Sequence, residues 1–484
     1  MSNAHDLIRY PDLPFPRTHP AALGAFAALF AQPYAPFAAS RVLEIGCGGG
    51  VNLLSMALGA PASEFVGVDL AERPIALARA AAEASGLGNA RFYVQNILEM
   101  DASLGRFDYI IAHGVYAWVP PAVSQALMRV IGQLLSPHGL AMISYNAYPG
   151  CRLRQAARDI MLAAATGIVD PQEKLEVARS ALSDHIATWS DQDAYQYAMI
   201  GVARDMLDKP AEVLFHDELT AFYEPRLLSD VVAAAGEVGL HYLSDAQPQL
   251  CAEAFFPSEK FAAARAKAAG DWGRFEQLMD FSEMRFFRSS IFCRGGGIDR
   301  RLEGQRLRGL WASGDLTALE PDPEAPDNFA FQCEGAAKIA TNNPKLARFL
   351  GDLAAAFPST VALDAAAEDP ALAEYVLTLF VANAIRIVTA PLSLPPTAGD
   401  RPLASPLARF QAARGEKSLV SLRHYPLNPE GASTLFFVTL LDGTRTRADL
   451  AREIAAQAGV TAAVAMTQVS AALAELTRLG LMMG

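Results

Sequence analysis

The chain has 484 residues, of which 52% are apolar and 19% charged, with a formal net charge of −12. At roughly 100–200 residues per domain this is about two to four domains with ample core-forming material, which excludes a globally disordered chain. The acidic balance and the lack of a Lys/Arg block (the densest stretch, Arg300–Arg308, is broken by Glu303) exclude the basic face that duplex binding needs, so nucleic acid is not an expected partner.

Met1–Pro20 is polar and proline-rich, without the apolar stretch of a secretory signal. From Arg41 the chain alternates short apolar runs with helical patterns. Arg41–Ile45 reads as a buried strand ending in Gly46-Cys-Gly-Gly-Gly50. Asn52–Leu58 reads as a helix, Phe65–Asp69 as a strand, and Pro74–Ser85 as a helix with proline in its first turn. Arg91–Gln95 and Phe107–Ala112 are the next strands. A helix over Val119–Leu135 closes at Ser136-Pro-His-Gly139, and Leu140–Tyr145 is a fifth strand. Such alternation implies βαβ units and a parallel sheet. Leu153–Lys209 is then helical and strand-free. The rhythm resumes with helix Pro225–Glu237, strand Leu240–Ser244 and a last strand Phe287–Cys293.

The expected fold is therefore α/β: a Rossmann-like, seven-stranded unit over residues 21–296, preceded by a lid segment at 1–20 and interrupted by a helical insertion at 151–210. A middle α+β domain at 297–395 follows, with strand-like Arg308–Trp311 and Phe329–Cys333 and helices Lys345–Phe357 and Ala371–Ala384. Tyr375–Leu392 is the most apolar late run, but Asn383 and Arg386 interrupt it well short of the ~20 residues a span requires, so it reads as a core helix and strand rather than a membrane insertion. The proline-rich linker Pro391–Asp400 leads to a domain at 396–484. There Leu441–Leu450 reads as strand end, turn and capped helix, followed by helical patterns at Thr446–Gln457 and Ala463–Leu479, the order of a winged helix. The cysteines, Cys47, Cys151, Cys251, Cys293 and Cys333, form no CxxC pair; no metal site is expected, and small buried thiols in a reducing, cytoplasmic setting fit them.

Val42-Leu-Glu-Ile-Gly-Cys-Gly-Gly-Gly50 carries the chemistry. A glycine-rich turn after a strand lets a ligand approach the backbone, and the following helix offers unpaired N–H groups. Asp69, at the end of the next strand, stands where an acidic residue can bind ribose hydroxyls. A dinucleotide and S-adenosylmethionine (AdoMet) both fit this pattern. Glu44 separates them: a carboxylate repels a pyrophosphate but suits the cationic sulfonium and ammonium of AdoMet. Asn96 and Ile97, after the third strand, are placed to meet the adenine. His113-Gly-Val-Tyr-Ala-Trp118 follows the fourth strand and Tyr145-Asn-Ala-Tyr-Pro-Gly150 the fifth, both at the carboxyl edge where open α/β sheets gather their active groups. His113, Tyr116, Trp118 and Tyr145 are the expected acceptor wall, since aromatic faces attract ammonium ions. Tyr148 is a further candidate. Tyr10-Pro-Asp-Leu-Pro-Phe-Pro-Arg-Thr-His-Pro20 is stiff and extended, either a lid over the cofactor or a surface strap. His216, in Leu214–Leu219, reads mainly as polar packing. No GxSxG, HExxH or Walker segment is present.

These residues together resemble the class I AdoMet-dependent methyltransferases. More closely, the chain resembles bacterial methyltransferases with a methyltransferase regulatory domain, whose best-described members are rickettsial-type outer-membrane-protein lysine methyltransferases. The resemblance runs nearly the whole length, through Tyr10–Pro20, Leu43–Gly50, Phe65–Asp69, Ile110–Pro120, Ile143–Gly150, Leu214–Leu219, Tyr223-Glu-Pro225, Phe287–Cys293 and Pro402–Arg409. It implies that AdoMet, leaving as S-adenosylhomocysteine (AdoHcy), is held by Tyr10, Glu44, Gly46, Cys47, Gly48, Asn52, Asp69, Leu70, Asn96, Ile97 and His113. It also implies a dimerising helical insertion and a protein or peptide substrate methylated on lysine. Members of that family often carry a bulky aromatic after the Tyr-Pro-Gly turn; here the residue is Cys151, and the later domains are shorter. A methyltransferase for a small metabolite or peptide natural product, and a non-catalytic AdoMet-binding interaction protein, are the alternative readings.

Overall fold

The computed structural model describes residues 10–250, 259–320, 328–333 and 338–484. The start of the expected lid segment, residues 1–9, and Cys251 lie outside the described residues.

A seven-stranded sheet organises the first half of the molecule. Its strands are β1 (Arg41–Ile45), β2 (Glu64–Asp69), β3 (Ala90–Val94), β4 (Phe107–Ala112), β5 (Leu135–Asn146), β6 (His241–Asp245) and β7 (Phe287–Cys293), in the order β3-β2-β1-β4-β5-β7-β6. The first five are parallel. β7 is antiparallel to both β5 and β6, a direction that the alternation of strands and helices did not give. Its C-terminal half pairs with β6, Asp245 lying opposite Ser290 and His241 opposite Cys293, so the connection returns at the same sheet edge and the strand must run backwards. An apolar run carries no sign of its direction, and burial on both faces reads alike for either.

Strand β5 also begins earlier than expected. Ser136-Pro-His-Gly139 does not close a helix but continues the strand, through a bulge where Phe107 pairs with Leu135 and Tyr109 with Leu140. The irregular register absorbs the proline, which donates no ladder hydrogen bond.

Helices cover both faces. On one side α1 (Pro20–Leu29), α2 (Val51–Gly59) and α3 (Glu72–Ala84) share a core with Val42 and Phe65. On the other, α4 (Pro121–Leu134) joins Leu43, Ile45 and Tyr145. Side chains alternate along a strand, so Glu44 shares the face of Val42 and points toward α2. The insertion is formed by α5 (Cys151–Ala164), α6 (Pro171–Thr188), α7 (Ala194–Leu207) and α8 (Ala211–Glu218), with its own core of Ala157, Met161, Leu182 and Ala203. Next come α9 (Leu228–Glu237), α10 (Glu259–Ala268) and α11 (Trp272–Glu283). Buried Arg288 of β7 ties α11 to the sheet through Asp280 (2.7 Å) and Glu276 (2.7 Å).

Beyond β7, two small antiparallel sheets pack with helices: β8 (Trp311–Ser313), β9 (Leu316–Ala318), β10 (Phe329–Cys333), β11 (Ile339–Thr341), α12 (Pro344–Ala356), β12 (Val361–Ala362), α13 (Asp364–Glu368), α14 (Pro370–Val381) and β13 (Arg386–Val388). The apolar run at Tyr375–Leu392 thus falls on a core helix and a strand. The last unit comprises α15 (Pro406–Ala413), β14 (Leu419–Val420), β15 (Pro426–Leu427), α16 (Gly431–Leu440), α17 (Arg447–Ala458) and α18 (Ala462–Arg478). Helix α17 opens on a capping box formed by Thr446 and Asp449, as the Thr-Arg-Ala-Asp sequence requires. Among the described residues no single helix is long and apolar enough to cross a membrane; α17 and α18 pass that test only together, and they are bent by 114°.

Candidate functional site

Sheet order reverses between β1 and β4, and the crevice outside their carboxyl ends is where open α/β sheets bind ligands. The turn after β1 lies there. Gly46 and Gly48 adopt φ of 77° and 52°, the left-handed region that costs side-chain-bearing residues most. Gly48 N donates to Asp69 Oδ2 at 2.9 Å, and Gly49 N donates to Asp12 Oδ1 at 2.7 Å. Gly49 has an ordinary φ, but a Cβ there would stand 2.2 Å from Asp12 Oδ2. The strap thus seats directly on the turn.

Glu44 is buried beneath the turn, 4% exposed. Its Oε1 accepts from Asn52 Nδ2 at 2.7 Å, whereas Oε2 has no hydrogen-bond partner among the described residues. Burial, with the nearby charges of Asp69 and Asp12, pushes its carboxyl up to about 8, against the lowering effect of Asn52. An unpaired buried carboxylate oxygen is costly unless a ligand meets it. Asn52 has no amide capacity to spare: its Oδ1 accepts from Phe15 N (2.8 Å) and Thr18 Oγ1 (3.1 Å), and its Nδ2 reaches Thr18 Oγ1 and Glu44. It positions Glu44 and the strap.

The remaining residues expected around the cofactor converge with these. Tyr10, Glu44, Gly46, Cys47, Gly48, Asn52, Asp69, Leu70, Asn96, Ile97 and His113 all line one cavity of about 1820 Å³. Asp69 Oδ1 accepts from Ala71 N at 2.9 Å, and its carboxylate keeps lone pairs for hydroxyl donors. Asn96 Oδ1 accepts from Leu98 N at 3.0 Å, forming a strand-end turn while its NH₂ remains available to the cavity. Leu70 is 60% exposed and forms an apolar rim.

Of the four residues expected to form an acceptor wall, two line the cavity and two do not. His113 and Trp118 line the cavity. His113 packs 4.0 Å from Phe15 and 6.2 Å from Phe287 between ring centroids, and its buried Nδ1 has no partner among the described residues. Burial and the Arg17 charge lower its pKa to about 4, so the imidazole is neutral at pH 7. Trp118 stacks on Tyr223 at 4.5 Å, with the Arg154 guanidinium 5.5 Å from the Trp118 ring. Tyr116 and Tyr145 do not line the cavity. Alternation along β5 turns Tyr145 into the opposite core, where it is 1% exposed and its hydroxyl meets Ser290 Oγ at 2.9 Å. Tyr116 lies behind the wall, 6.1 Å from Tyr145 and under the Arg226 guanidinium. Their neighbour Ser144 instead faces the other way and accepts from Gly114 N at 2.8 Å. Tyr148 also stays outside the cavity, bonded to Gln155 Oε1 at 2.9 Å. Cys151 is buried and its Sγ donates to Phe286 O at 3.1 Å, so it lies behind the cavity wall.

Several further residues line the cavity beyond those expected to hold the cofactor. His216, expected mainly as polar packing, lines the cavity and meets Tyr10 edge-on at 5.6 Å. Asp217 lines it beside His216 and is ion-paired with Arg154 and Lys209. Phe222 and Phe286, 49% and 67% exposed, stand at the opening, and Arg414 reaches it from the C-terminal domain. These come from segments far apart in the chain, where no local spacing links them. Asp12 lay within the strap, yet its seat on Gly49 is a tertiary contact.

Comparison with known proteins is consistent along the chain. Residues 37–196 match a family model described as a methyltransferase domain, residues 210–294 a predicted methyltransferase regulatory domain, and residues 400–478 the C-terminal winged helix domain of PKMT. Two uncharacterized proteins of Rickettsia prowazekii are similar. RP789 is 32% identical over 293 residues, 60% of this chain and 52% of that protein; RP028 is 35% identical over 179 residues, 37% of this chain and 72% of that one. The matched part of the chain thus spans about half the length of the first. Among solved structures, PKMT2 from Rickettsia typhi superposes with a TM-score of 0.85 at 24% identity, covering 98% of this chain and 100% of that one; the same protein is also solved in complex with AdoHcy. At that identity the likeness establishes the fold.

Proposed function

The chain belongs to the AdoMet-dependent methyltransferases that carry a methyltransferase regulatory domain and a PKMT-type winged helix, and from that membership we propose that it methylates lysine side chains of a protein substrate. The observation that carries the cofactor reading is the buried, unpartnered Oε2 of Glu44, set beside Asp69 and Asp12 in one cavity. Three carboxylates repel a phosphate and suit a cation, so the residues present fit AdoMet and not a dinucleotide. Glu44 would hold its cationic groups, Asp69 its ribose, and Asn96 and Ile97 its adenine. Bound there, the cofactor supplies an electrophilic methyl on a sulfonium.

The acceptor reading rests on the cavity's size and wall. About 1820 Å³ exceeds the ~300–1,000 Å³ of ordinary small-molecule pockets and leaves space beyond the cofactor for an inserted side chain. Phe15, Trp118, Phe215, Phe222, Phe286 and Phe287 line it, and aromatic faces hold an amine that is cationic before and after methylation. The protein's part is alignment and exclusion of water. His113, neutral with a pKa near 4, is too weak a base to take up a lysine proton, so the amine must react in its unprotonated form. The helical insertion supports the homodimer reading, since Val169, Tyr195 and Tyr197 project from it 92%, 83% and 65% exposed.

Calorimetric titration with AdoMet tests the cofactor site. Micromolar binding by the wild type, lost in Asp69→Ala, is expected; no binding by the folded wild type would sink the methyltransferase reading. Labelled methyl transfer into lysate proteins, traced to methyl-lysine, is then expected. Label confined to small metabolites would overturn the lysine assignment.

A further inference from the structure

Strand β5 ends at Asn146, on the sheet face that also bears Glu44. Met142 packs in the same core as Val42, whereas Ile143 and Tyr145 belong to the opposite one, so alternation puts Ser144 and Asn146 on the face of Met142. Ser144 fastens the neighbouring loop by accepting from Gly114 N at 2.8 Å. Asn146, the next residue on that face, is 4% exposed and lines the cavity. Its backbone is occupied: it pairs with Phe287 of β7, and its carbonyl accepts from Arg226 N at 2.9 Å. Its side chain lies against the Cys151 thiol. That thiol gives its one hydrogen to Phe286 O at 3.1 Å, so the sulfur offers the amide only lone pairs. The amide therefore turns its NH₂ to the sulfur and leaves Oδ1 for the cavity.

Strand order says what that oxygen can meet. The residues fitted to the cofactor follow β1, β2 and β3, and β4 stands between them and β5. Neighbouring strands lie about 4.8 Å apart, so Asn146 stands roughly 10 Å from the turn after β1, on the side away from Asp69 and Asn96. Trp118, Phe286 and Phe287 line the cavity with it. We propose that Asn146 orients the acceptor: its Oδ1 accepts an N–H of the incoming lysine amine and so aims the nitrogen lone pair at the methyl group. The inference rests on the lysine reading above. A neutral amine turns freely about its last C–N bond, and one fixed N–H removes that freedom. The lone pair forms the N–C bond while the C–S pair returns to sulfur; the surplus proton stays on the product ammonium until it leaves to water. A carboxamide takes no part in that proton's movement. Unlike a carboxylate, it does not hold the amine in its unreactive charged form.

Full-length wild type, Asn146→Leu and Asn146→Asp are compared for transfer of labelled methyl from AdoMet into methyl-lysine of lysate proteins. AdoMet is saturating, and pH runs from about 6 to 10 to bracket amine titration. Asn146→Leu, similar in shape without the oxygen, should lower the rate roughly 10- to 100-fold, with AdoMet affinity by calorimetry unchanged. Asn146→Asp keeps an oxygen and adds a charge. It should recover most of the plateau rate and move the rising limb up by about one pH unit, because a carboxylate favours the ammonium form. A packing role would not move that limb, and loss of folded protein scales the rate without shifting it. The proposal is overturned if Asn146→Leu keeps the wild-type rate, if AdoMet affinity falls along with the rate, or if the limb of Asn146→Asp stays in place. Wild type that labels no methyl-lysine would overturn the lysine reading itself and this inference with it, an outcome distinct from variants that match an active wild type.

Discussion

Glu44 shows how much a single side chain can report. Burial holds its carboxyl up at about 8, above the ordinary value of 4.5, so it is largely protonated at pH 7. The folded state then binds more protons than the unfolded one between those values. Its contribution to stability is full below about 4.5 and is lost as pH rises through about 8. A cationic ligand reverses the preference and draws the proton off. AdoMet binding at pH 7 should therefore release close to one proton, and apparent affinity should rise with pH until about 8 and then level. Titration at pH 7 in two buffers of different ionisation enthalpy measures this; Glu44→Gln should release almost none, and an equal release from that variant would place the proton elsewhere. His113 makes the opposite point. With a pKa near 4 it does not titrate in the working range, so kcat/KM should climb with pH on a limb belonging to the acceptor amine. His113→Phe should lower the rate yet keep that limb in place; a limb that moves with the substitution would make His113 the base.

At the scale of elements, what the sequence made legible is what lies close in the chain. Gly46, Gly48, Glu44 and Asp69 are separated by one strand–helix–strand unit, and the chemistry of each is stated by its type and its place at a strand end. Tyr145 could not be placed in the same way. One residue of register decides which face of a strand a side chain takes, and the bulge between Phe107 and Tyr109 sits in the ladder that sets β5. The direction of β7 was hidden for a related reason, since burial on both faces carries no polarity. The strap was legible as stiff and extended, but its target was not. Gly49 now states that target. Its φ is ordinary, so Gly49→Ala strains nothing in the turn itself, while the new Cβ would stand 2.2 Å from Asp12 Oδ2. The substitution should lift the strap with the sheet intact: AdoMet binding weaker by roughly tenfold, a melting temperature within a few degrees of the wild type, and faster tryptic cleavage after Arg17. Unchanged cleavage would show that the strap tolerates the methyl.

Across the whole molecule, the C-terminal domain reaches back to the cofactor turn through the same strap. His424, 2% exposed, places Nδ1 2.9 Å from Ser55 Oγ on α2 and Nε2 3.2 Å from Phe15 O. A carbonyl only accepts, so Nε2 carries the hydrogen and donates, and Nδ1 accepts from the serine hydroxyl. Burial and the neighbouring His19 and Arg386 keep the ring neutral, lowered well below its ordinary range. Arg386 of β13 adds a hydrogen bond from its guanidinium to Pro16 O at 3.1 Å. The path from winged helix to cofactor is thus continuous: His424 to Phe15, Phe15 to Asn52, Asn52 to Glu44. Removing the buried imidazole leaves the Ser55 hydroxyl without its acceptor at a cost of about 1–3 kcal/mol, while Phe15 O keeps Thr18 N and Thr18 Oγ1, each at 2.8 Å, and that cost falls where the strap meets α2. His424→Ala should therefore weaken AdoMet binding and speed amide hydrogen exchange across residues 10–18, with exchange in β1 and β4 unchanged. His424→Gln, which can still accept from Ser55 or donate to Phe15 but not do both in the ring's geometry, should fall between. Uniform acceleration through the sheet would mean that His424 supports the global fold. Acceleration confined to the strap would mean that whatever engages the C-terminal domain can adjust how tightly the cofactor is held.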